Sequence, residues 1–228
     1  MARLSRIVIP DVPHHITQRG NRRLPIFFGD DDRAEYLMLV RAGCAANGVR
    51  CLAWCLMDNH VHLILVPSDA DGLRGALAEA HRRYTRRINF REGWRGYLFQ
   101  GRFSSYPMDD AHLMTAVRYV ENNPVAAGLV AEAGAYRWSS ARSHVAHGRV
   151  ADDPLTDVLA LGQHVANWRA MLRGGLEAMD SAEAIETIEA RLRTGRPLAA
   201  PEWIADMETQ IQRKLTPGKP GPKPKGER

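Results

Sequence analysis

One stretch of the sequence, residues 56–66, constrains the fold more than any other. From His60 to Val66 it is rich in β-branched and aliphatic residues, the composition of a well-buried strand. Side chains alternate along a strand, so His60 and His62 point to the same face, roughly 7 Å apart. Two imidazoles on one face of a rigid strand can converge on a single metal ion. Two polar residues at a strand entrance, hydrogen-bonded to the backbone, would give the same pattern.

Length and apolar patterning limit the class of protein. The chain has 228 residues, enough for one substantial domain and an appendage. No apolar run approaches the ~18 residues that a membrane span needs, and Pro10 and Asp11 interrupt the run that a signal peptide would require. Cys44, Cys51 and Cys55, an odd number, fit a reducing compartment as buried hydrophobes, although with a histidine they are an alternative zinc set. We therefore expect a cytoplasmic protein without membrane contact.

The distribution of positive charge points to a polyanionic partner. The net charge is +5, arginine supplies nearly all the cations of the body, and every lysine falls within the last fifteen residues. Arginine favours bidentate recognition of phosphate and base edges, so this balance leans toward nucleic acid. The tail over residues 216–228 is rich in proline, glycine and lysine. We expect it to be disordered and to add salt-sensitive affinity for phosphate.

Periodicity predicts the elements of the first half of the chain. A short strand covers residues 13–21 and ends in a Gly-Asn turn. A helix follows over about 33–47, where apolar residues recur at helical spacing. Segments 49–56 and 60–66 are two strands, most simply an antiparallel hairpin. A second helix spans about 73–89.

The second half begins with an edge strand and a helix and then changes character. The strand covers residues 103–108, and the third helix runs from about 109 to 123, because the residue before a proline disfavours the helical region. Beyond residue 151 the pattern predicts further helices, over about 157–171, 181–193 and 202–214.

Three features are candidate contacts to nucleic acid: arginines after the first strand, four arginines on the second helix, and the aromatic-rich segment 94–103. Rings can stack bases while guanidinium groups hold phosphate. Solvated charge on a loop or helix, and a tight turn before the edge strand, are the simpler alternatives. The candidate contacts, with one arginine near residue 195 and the tail lysines, are Arg19, Arg22, Arg23, Arg82, Arg83, Arg86, Arg87, Arg95, Gln100, Arg102, Arg196, Lys219, Lys223 and Lys225.

The third helix carries a second candidate group. Thr115, Tyr119 and Asn123 recur at i, i+4 and i+8, which places them on one face. An aromatic residue at such a position is an ordinary core residue by default. Asn123, one turn beyond Tyr119, adds an oxygen able to coordinate a metal or orient a water.

Taken together, these motifs resemble the Y1 tyrosine transposases of the insertion-sequence-200 type, and more narrowly their REP-associated, single-copy branch. The similarity spans nearly the whole chain, and several motifs in the right order are more specific than His-x-His alone. One departure is Ala126, where many relatives carry arginine. The segments that carry the resemblance are 57–63, 94–103, 118–125, 127–130, 136–140 and 194–198.

The resemblance implies an α+β fold of the ferredoxin-like, HUH-endonuclease type. An antiparallel sheet with packed helices would form a catalytic domain over residues 1–150. A helical C-terminal extension over 151–215 and a basic disordered tail over 216–228 would follow. The implied location is the bacterial cytoplasm, associated with the nucleoid.

The resemblance also implies a site and a reaction. Carried over by position, His60 and His62 are metal ligands, Asn123 is a third polar ligand, and Tyr119 is the nucleophile. The ion would be Mg²⁺ or Mn²⁺, and the substrate single-stranded DNA with REP-type hairpins, cut and rejoined through a 5′-phosphotyrosine by a monomer or a homodimer. Three alternatives stay open: a DNA- or RNA-binding regulator with a vestigial site, a replication-initiator-like nickase, and a zinc phosphoesterase.

Overall fold

A computed structural model describes residues 6–162, 165–179 and 182–216 of the chain. Its centre is one four-stranded antiparallel sheet in the order β2-β3-β1-β4, with helices on both faces. The strands are β1 His14–Arg19, β2 Val49–Met57, β3 His60–Pro67 and β4 Ser104–Pro107. The predicted α+β class is confirmed, and so is the edge position of the fourth strand.

The predicted hairpin forms one half of the sheet, with β2 at the edge and β3 in the interior. β2 and β3 pair antiparallel across the two-residue turn at 58–59. β1 pairs with the other side of β3, with Arg19 opposite His60 and Thr17 opposite His62. Residues opposite each other in a ladder share a face of the sheet. This register therefore places a basic and a hydroxyl side chain of β1 beside the two histidines.

Helices cover the two faces differently. α1 (Asp30–Ala46) and α2 (Gly72–Glu92) pack on one face, where Trp54 and Leu63 point into their core. α3 (Asp110–Ala126) packs on the opposite face, the one that carries the two histidines. Since α3 lies on that face, its side chains can contact those of His60 and His62 on β3.

The predicted end of α3 is wrong. The helix continues through Pro124 to Ala126, and the backbone N–H of Ala127 donates to the Asn123 carbonyl at 3.0 Å. Gly128 follows with φ +70°, the left-handed residue with which many helices end. Pro124 is buried, so tertiary packing of its ring outweighs the local preference that predicts a stop at residue 123.

The chain beyond α3 forms more helices than its periodicity predicts. α4 (Ala141–Val145) was not expected, and the single helix expected over 157–171 is two: α5 (Val158–Gly162) and α6 (Trp168–Met179). The Asn167 side chain accepts from the Ala170 N–H at 2.9 Å. This N-cap starts a new helix at Trp168.

The last two helices follow the prediction more closely. α7 spans Ala182–Thr194, and α8 spans Pro201–Gln210, four residues short of the predicted end. α8 packs against the N-terminal segment around Ile9, in a small cluster that also contains Leu215. Among the described helices, none is both long and apolar enough to cross a bilayer.

Candidate active site

The register of β3 and the packing of α3 bring the four predicted site residues together. The ring centroids of His60 and His62 lie 4.9 Å apart, and the Tyr119 ring lies 5.5 Å from that of His62. The Asn123 side chain is within hydrogen-bonding reach of both His60 and Tyr119. Two strand residues and two residues one helical turn apart therefore converge on one point between sheet and helix.

The donor set fits a divalent cation. His62 is 2% exposed, and its Nε2 atom has no hydrogen-bond partner among the described residues, although the site around it is polar. A buried polar atom normally finds a partner, and an imidazole lone pair is a common metal ligand. His60 uses Nδ1 to contact the Asn59 side chain at 2.6 Å, which leaves its Nε2 as the second candidate ligand atom. The Asn123 oxygen would be the third.

Burial keeps the imidazoles of this site in the neutral form that binds metals. Desolvation lowers the pKa of His60 to about 4, helped by the positive charge of Arg19. The pKa of His62 lies well below its usual value, first through burial and then through His15, His60 and Arg19. No proton has to leave either ring at neutral pH before a cation binds.

The Tyr119 hydroxyl is subject to opposing influences. Burial raises its pKa above the ordinary value, and the carboxylate of Glu189 raises it further. The guanidinium of Arg19 and the hydrogen bond from Asn123 act in the opposite direction. These two residues therefore favour the phenolate that a nucleophilic tyrosine needs.

A pocket of about 460 Å³ opens beside His62 and Tyr119, whereas His60 and Asn123 do not line it. Four of the predicted nucleic-acid contacts line it: Arg19, Arg23, Gln100 and Arg102. A cleft that combines guanidinium groups with a candidate nucleophile suits a phosphodiester. The other residues that line it are Thr17, Gln18, His62, Ser104, Tyr119, Glu189, Leu192 and Arg193.

The aromatic-rich segment reaches this pocket along the end of β1. The Gln100 N–H donates to the Arg19 carbonyl at 2.9 Å, and the Asn21 N–H donates to Leu98 O at 2.8 Å. Upstream in the same segment, Tyr97 is 86% exposed. The segment is thus a turn before the sheet edge, as the simpler alternative expects, and it also carries an exposed ring three residues before Gln100, which lines the pocket.

The arginines of α2 lie elsewhere. They line a shallow groove of about 540 Å³ with Phe90, which is 90% exposed, on the helical layer across the sheet from Tyr119. Arg82 is engaged by Glu79 on the same helix at 2.6 Å. The residues of this α2 groove are Glu35, Glu79, Arg82, Arg83, Arg86, Arg87 and Phe90.

The remaining predicted contacts have other placements. Arg22 and Arg95 are exposed and do not line the pocket. Arg196 donates to the Leu215 carbonyl at 2.5 Å, which ties the end of α7 to the segment after α8. The tail lysines Lys219, Lys223 and Lys225 lie outside the described residues.

The three cysteines are buried in the two main cores without disulfides. Within residues 6–162, 165–179 and 182–216, no three His, Cys, Asp or Glu side chains are grouped so as to hold a metal. The alternative zinc set of cysteines and a histidine therefore finds no support in the described fold. The candidate centre instead rests on two imidazoles and an amide.

Two residues of the site escape sequence reasoning. His15 contacts His62, with its Nε2 atom 2.9 Å from Nδ1 of that ring. Glu189 comes from α7, far along the chain, and lines the pocket with Tyr119. Strand alternation would have placed His15 on the site face, but only once β1 had been paired with β3 in register. No local signal marks Glu189.

Comparison with known proteins places this geometry in a family. The sequence matches the family of IS200-like transposases over residues 9–123. A REP-associated tyrosine transposase bound to a REP hairpin has the same fold, with a TM-score of 0.56 and 20% identity over 69% of this chain and 93% of that one. A candidate transposase from Deinococcus radiodurans R1 aligns with a TM-score of 0.38 and 18% identity over 53% of this chain and 97% of the other. Curated proteins gave no match.

Proposed function

The chain belongs to the IS200-like transposases, and from that premise we propose that it cuts and rejoins single-stranded DNA at hairpin-forming, REP-like repeats. One observation carries the proposal. A single pocket contains Tyr119, the unpartnered Nε2 face of His62, and the guanidinium groups of Arg19 and Arg102. The solved relative bound to a REP hairpin supports this class of substrate.

In the proposed reaction the Tyr119 oxygen attacks the scissile phosphorus. The bond from phosphorus to the 3′ oxygen breaks, leaving a 5′-phosphotyrosine and a free 3′-hydroxyl, so that the phosphodiester bond energy is kept for rejoining. The phenol proton passes to solvent, and the departing 3′ oxygen takes one up. A phenol has a reference pKa of ~10, and burial raises that of Tyr119. Arg19 counters this shift and also neutralises phosphate charge.

His60, His62 and Asn123 are the residues that would hold the cation. A bound divalent ion would polarise the scissile phosphate and orient it for in-line attack. Two nitrogen donors and one oxygen donor favour Mn²⁺ over Mg²⁺. Asn123 also lies within hydrogen-bonding reach of Tyr119, so the same side chain links the position of the nucleophile to that of the ligand set.

We assign the two halves of the substrate to two surfaces. The single strand passes through the pocket, where Gln100 and Arg102 lie beside Tyr119. The α2 groove takes the paired stem, whose closely spaced phosphates attract several arginines at once. From Phe90 in the last turn of α2 the chain leads through Tyr97 to Gln100, so exposed rings are available for bases between the two surfaces.

Replacing the nucleophile tests the proposal. A REP-type hairpin with single-stranded flanks, labelled separately at the 5′ and 3′ ends, is incubated with the protein and Mn²⁺ and run on a denaturing gel. We expect a covalent adduct that carries the label from the 3′ side of the cut. Tyr119→Phe should lose the adduct and keep hairpin binding within about twofold, because only one hydroxyl is removed.

Tyr97→Phe is the matched control, since it deletes the same hydroxyl from an exposed tyrosine, and it should form the adduct. Cleavage by Tyr119→Phe at the wild-type rate would contradict the assignment of the nucleophile. Tight hairpin binding by the wild type, with no adduct in Mn²⁺ or Mg²⁺, would favour the DNA-binding regulator.

A further inference from the structure

A chain of three buried side chains begins at the His62 ring, on the nitrogen that does not face an open ligand position. His62 Nδ1 is 2.9 Å from His15 Nε2, and His15 Nδ1 is 3.0 Å from the Tyr106 hydroxyl. All three residues are at most 2% exposed. His15 is on β1 and Tyr106 is opposite it on β4, so the chain crosses three strands of the sheet.

We propose that His15 and Tyr106 are positioning residues that hold His62 in the tautomer whose bare Nε2 atom binds the cation. The inference rests on the proposed function, because it concerns the cation site assigned there. It adds two residues that act on the cation through His62, and the His15 ring also packs edge-on against the Tyr119 ring, with centroids 5.8 Å apart.

The argument follows from how many protons a neutral imidazole carries. Each ring has one N–H donor and one lone-pair acceptor. If His62 donates from Nδ1 to His15, then His15 must donate from Nδ1 to the Tyr106 oxygen, and His62 Nε2 is bare. If Tyr106 donates to His15 instead, both bonds reverse and His62 Nε2 carries a hydrogen. Only the first arrangement leaves a lone pair for a metal.

Because His62 Nε2 is buried, the two arrangements differ in free energy. That atom has no partner within the described chain, so in the second arrangement a buried N–H would point at the site with nothing to accept it. In the first arrangement a cation satisfies the lone pair. Ligating histidines generally use the other ring nitrogen for such an outer bond, and its loss commonly weakens metal affinity about 10- to 100-fold.

Removal of the Tyr106 hydroxyl tests the role of the hydrogen-bonded chain Tyr106–His15–His62 directly. Without it, the His15 Nδ1–H of the cation-binding arrangement has no acceptor, so each arrangement leaves one buried N–H unpaired and the preference for the cation-binding one is lost. We expect Tyr106→Phe to bind Mn²⁺ about tenfold more weakly, measured from the electron paramagnetic resonance signal of free Mn²⁺, with no change in hairpin affinity. Tyr36→Phe is the control, because Tyr36 is itself buried and makes the same kind of bond to a histidine, 2.9 Å to His81, in the other core.

A second measurement needs no variant. Nitrogen-15 NMR of the Mg²⁺-loaded wild type should show both His15 and His62 protonated at Nδ1. Protonation of either ring at Nε2 alone, or equal Mn²⁺ affinity in Tyr106→Phe and the wild type, would overturn this inference while leaving the cation site in place. A wild type that binds no Mn²⁺ would overturn the cation site and this inference with it.

Discussion

At the scale of single residues, charged and polar groups from different parts of the chain shift the pKa of Tyr119 in opposite directions. Burial is the largest influence and raises the pKa of its hydroxyl, and Glu189 of α7 adds to the rise. Arg19 of β1 and Asn123 on the same helix lower it. The reactivity of a phenol depends on the fraction present as phenolate. Under the proposed function, Glu189 of the extension would therefore take part in setting the pH at which Tyr119 reacts.

Glu189→Gln tests this influence. The change removes a negative charge that raises the Tyr119 pKa, so the pKa should fall and the alkaline rise in rate should move to lower pH. The rate of adduct formation in single turnovers, at saturating hairpin and fixed Mn²⁺, measures the profile. Glu186→Gln on the same helix is the control, since Glu186 does not line the pocket. A shift to higher pH would contradict the assignment.

At the scale of elements, a buried carboxyl group fastens the extension to the helix that carries the tyrosine. Glu121 of α3 is fully buried and accepts from Trp168 of α6 at 2.7 Å, from Ser140 at 2.5 Å and from His144 of α4 at 2.6 Å. The His144 ring stacks on Trp168 with centroids 4.2 Å apart. Because Glu121 is two residues from Tyr119 and Trp168 is its partner from the extension, displacement of α6 should destabilise the packing of α3.

Trp168→Phe removes one donor from this group. A buried acceptor left without a partner costs about 1–3 kcal/mol, so the free energy of unfolding should fall by roughly that amount. Urea denaturation followed by circular dichroism measures the change. Trp138→Phe should cost less, because its indole donates to Asp30, whose side chain is 57% exposed. Equal decreases in the free energy of unfolding for the two variants would contradict a stabilising role for the buried Glu121–Trp168 hydrogen bond.

The α2 groove makes a prediction of its own. Arg86→Ala should weaken hairpin binding. It should also make the negative slope of log affinity against log salt shallower by about 0.9, the effect of one phosphate contact on a duplex. Arg74→Ala on the same helix should change neither, because Arg74 lies outside the groove and pairs with Asp71 at 3.2 Å. Filter binding between 50 and 200 mM salt, roughly the range in which such slopes are resolved, measures both. Equal salt-dependence slopes for the wild type and Arg86→Ala would show that the hairpin stem does not bind in the α2 groove.

The contrast between elements shows where sequence reasoning is sufficient. β3 and its hairpin are predicted correctly because their signals are local: alternation, composition and a two-residue turn. The end of α3 is missed because burial of Pro124 is a tertiary effect. His15 and Glu189 are missed for the same reason, since one depends on the register of β1 against β3 and the other on where α7 docks. The sequence therefore predicts which side chains have the required chemistry, but it does not predict which distant residues pack beside them in the fold.

At the scale of the whole molecule, the chain covers the edges of its own sheet. Along β2, the Leu56 N–H donates to the Trp138 carbonyl at 2.9 Å. Along β4, the Leu198 N–H donates to Pro107 O at 3.0 Å. Exposed edges are where sheets extend into a neighbour. Two covered edges disfavour an edge-to-edge dimer, so we expect a monomer of 25.5 kDa by light scattering.

The same molecule predicts that each chain cuts DNA with its own residues. Tyr119 and His62 lie 5.5 Å apart between ring centroids within one chain. In a dimer that exchanges its tyrosine helices, the two would instead meet across subunits. Mixing Tyr119→Phe with His62→Ala should therefore restore no adduct, since neither protein contains a complete site. Recovery of about a quarter of wild-type activity, as random pairing of subunits gives on the order of one intact site in four, would show exchange and contradict the monomer.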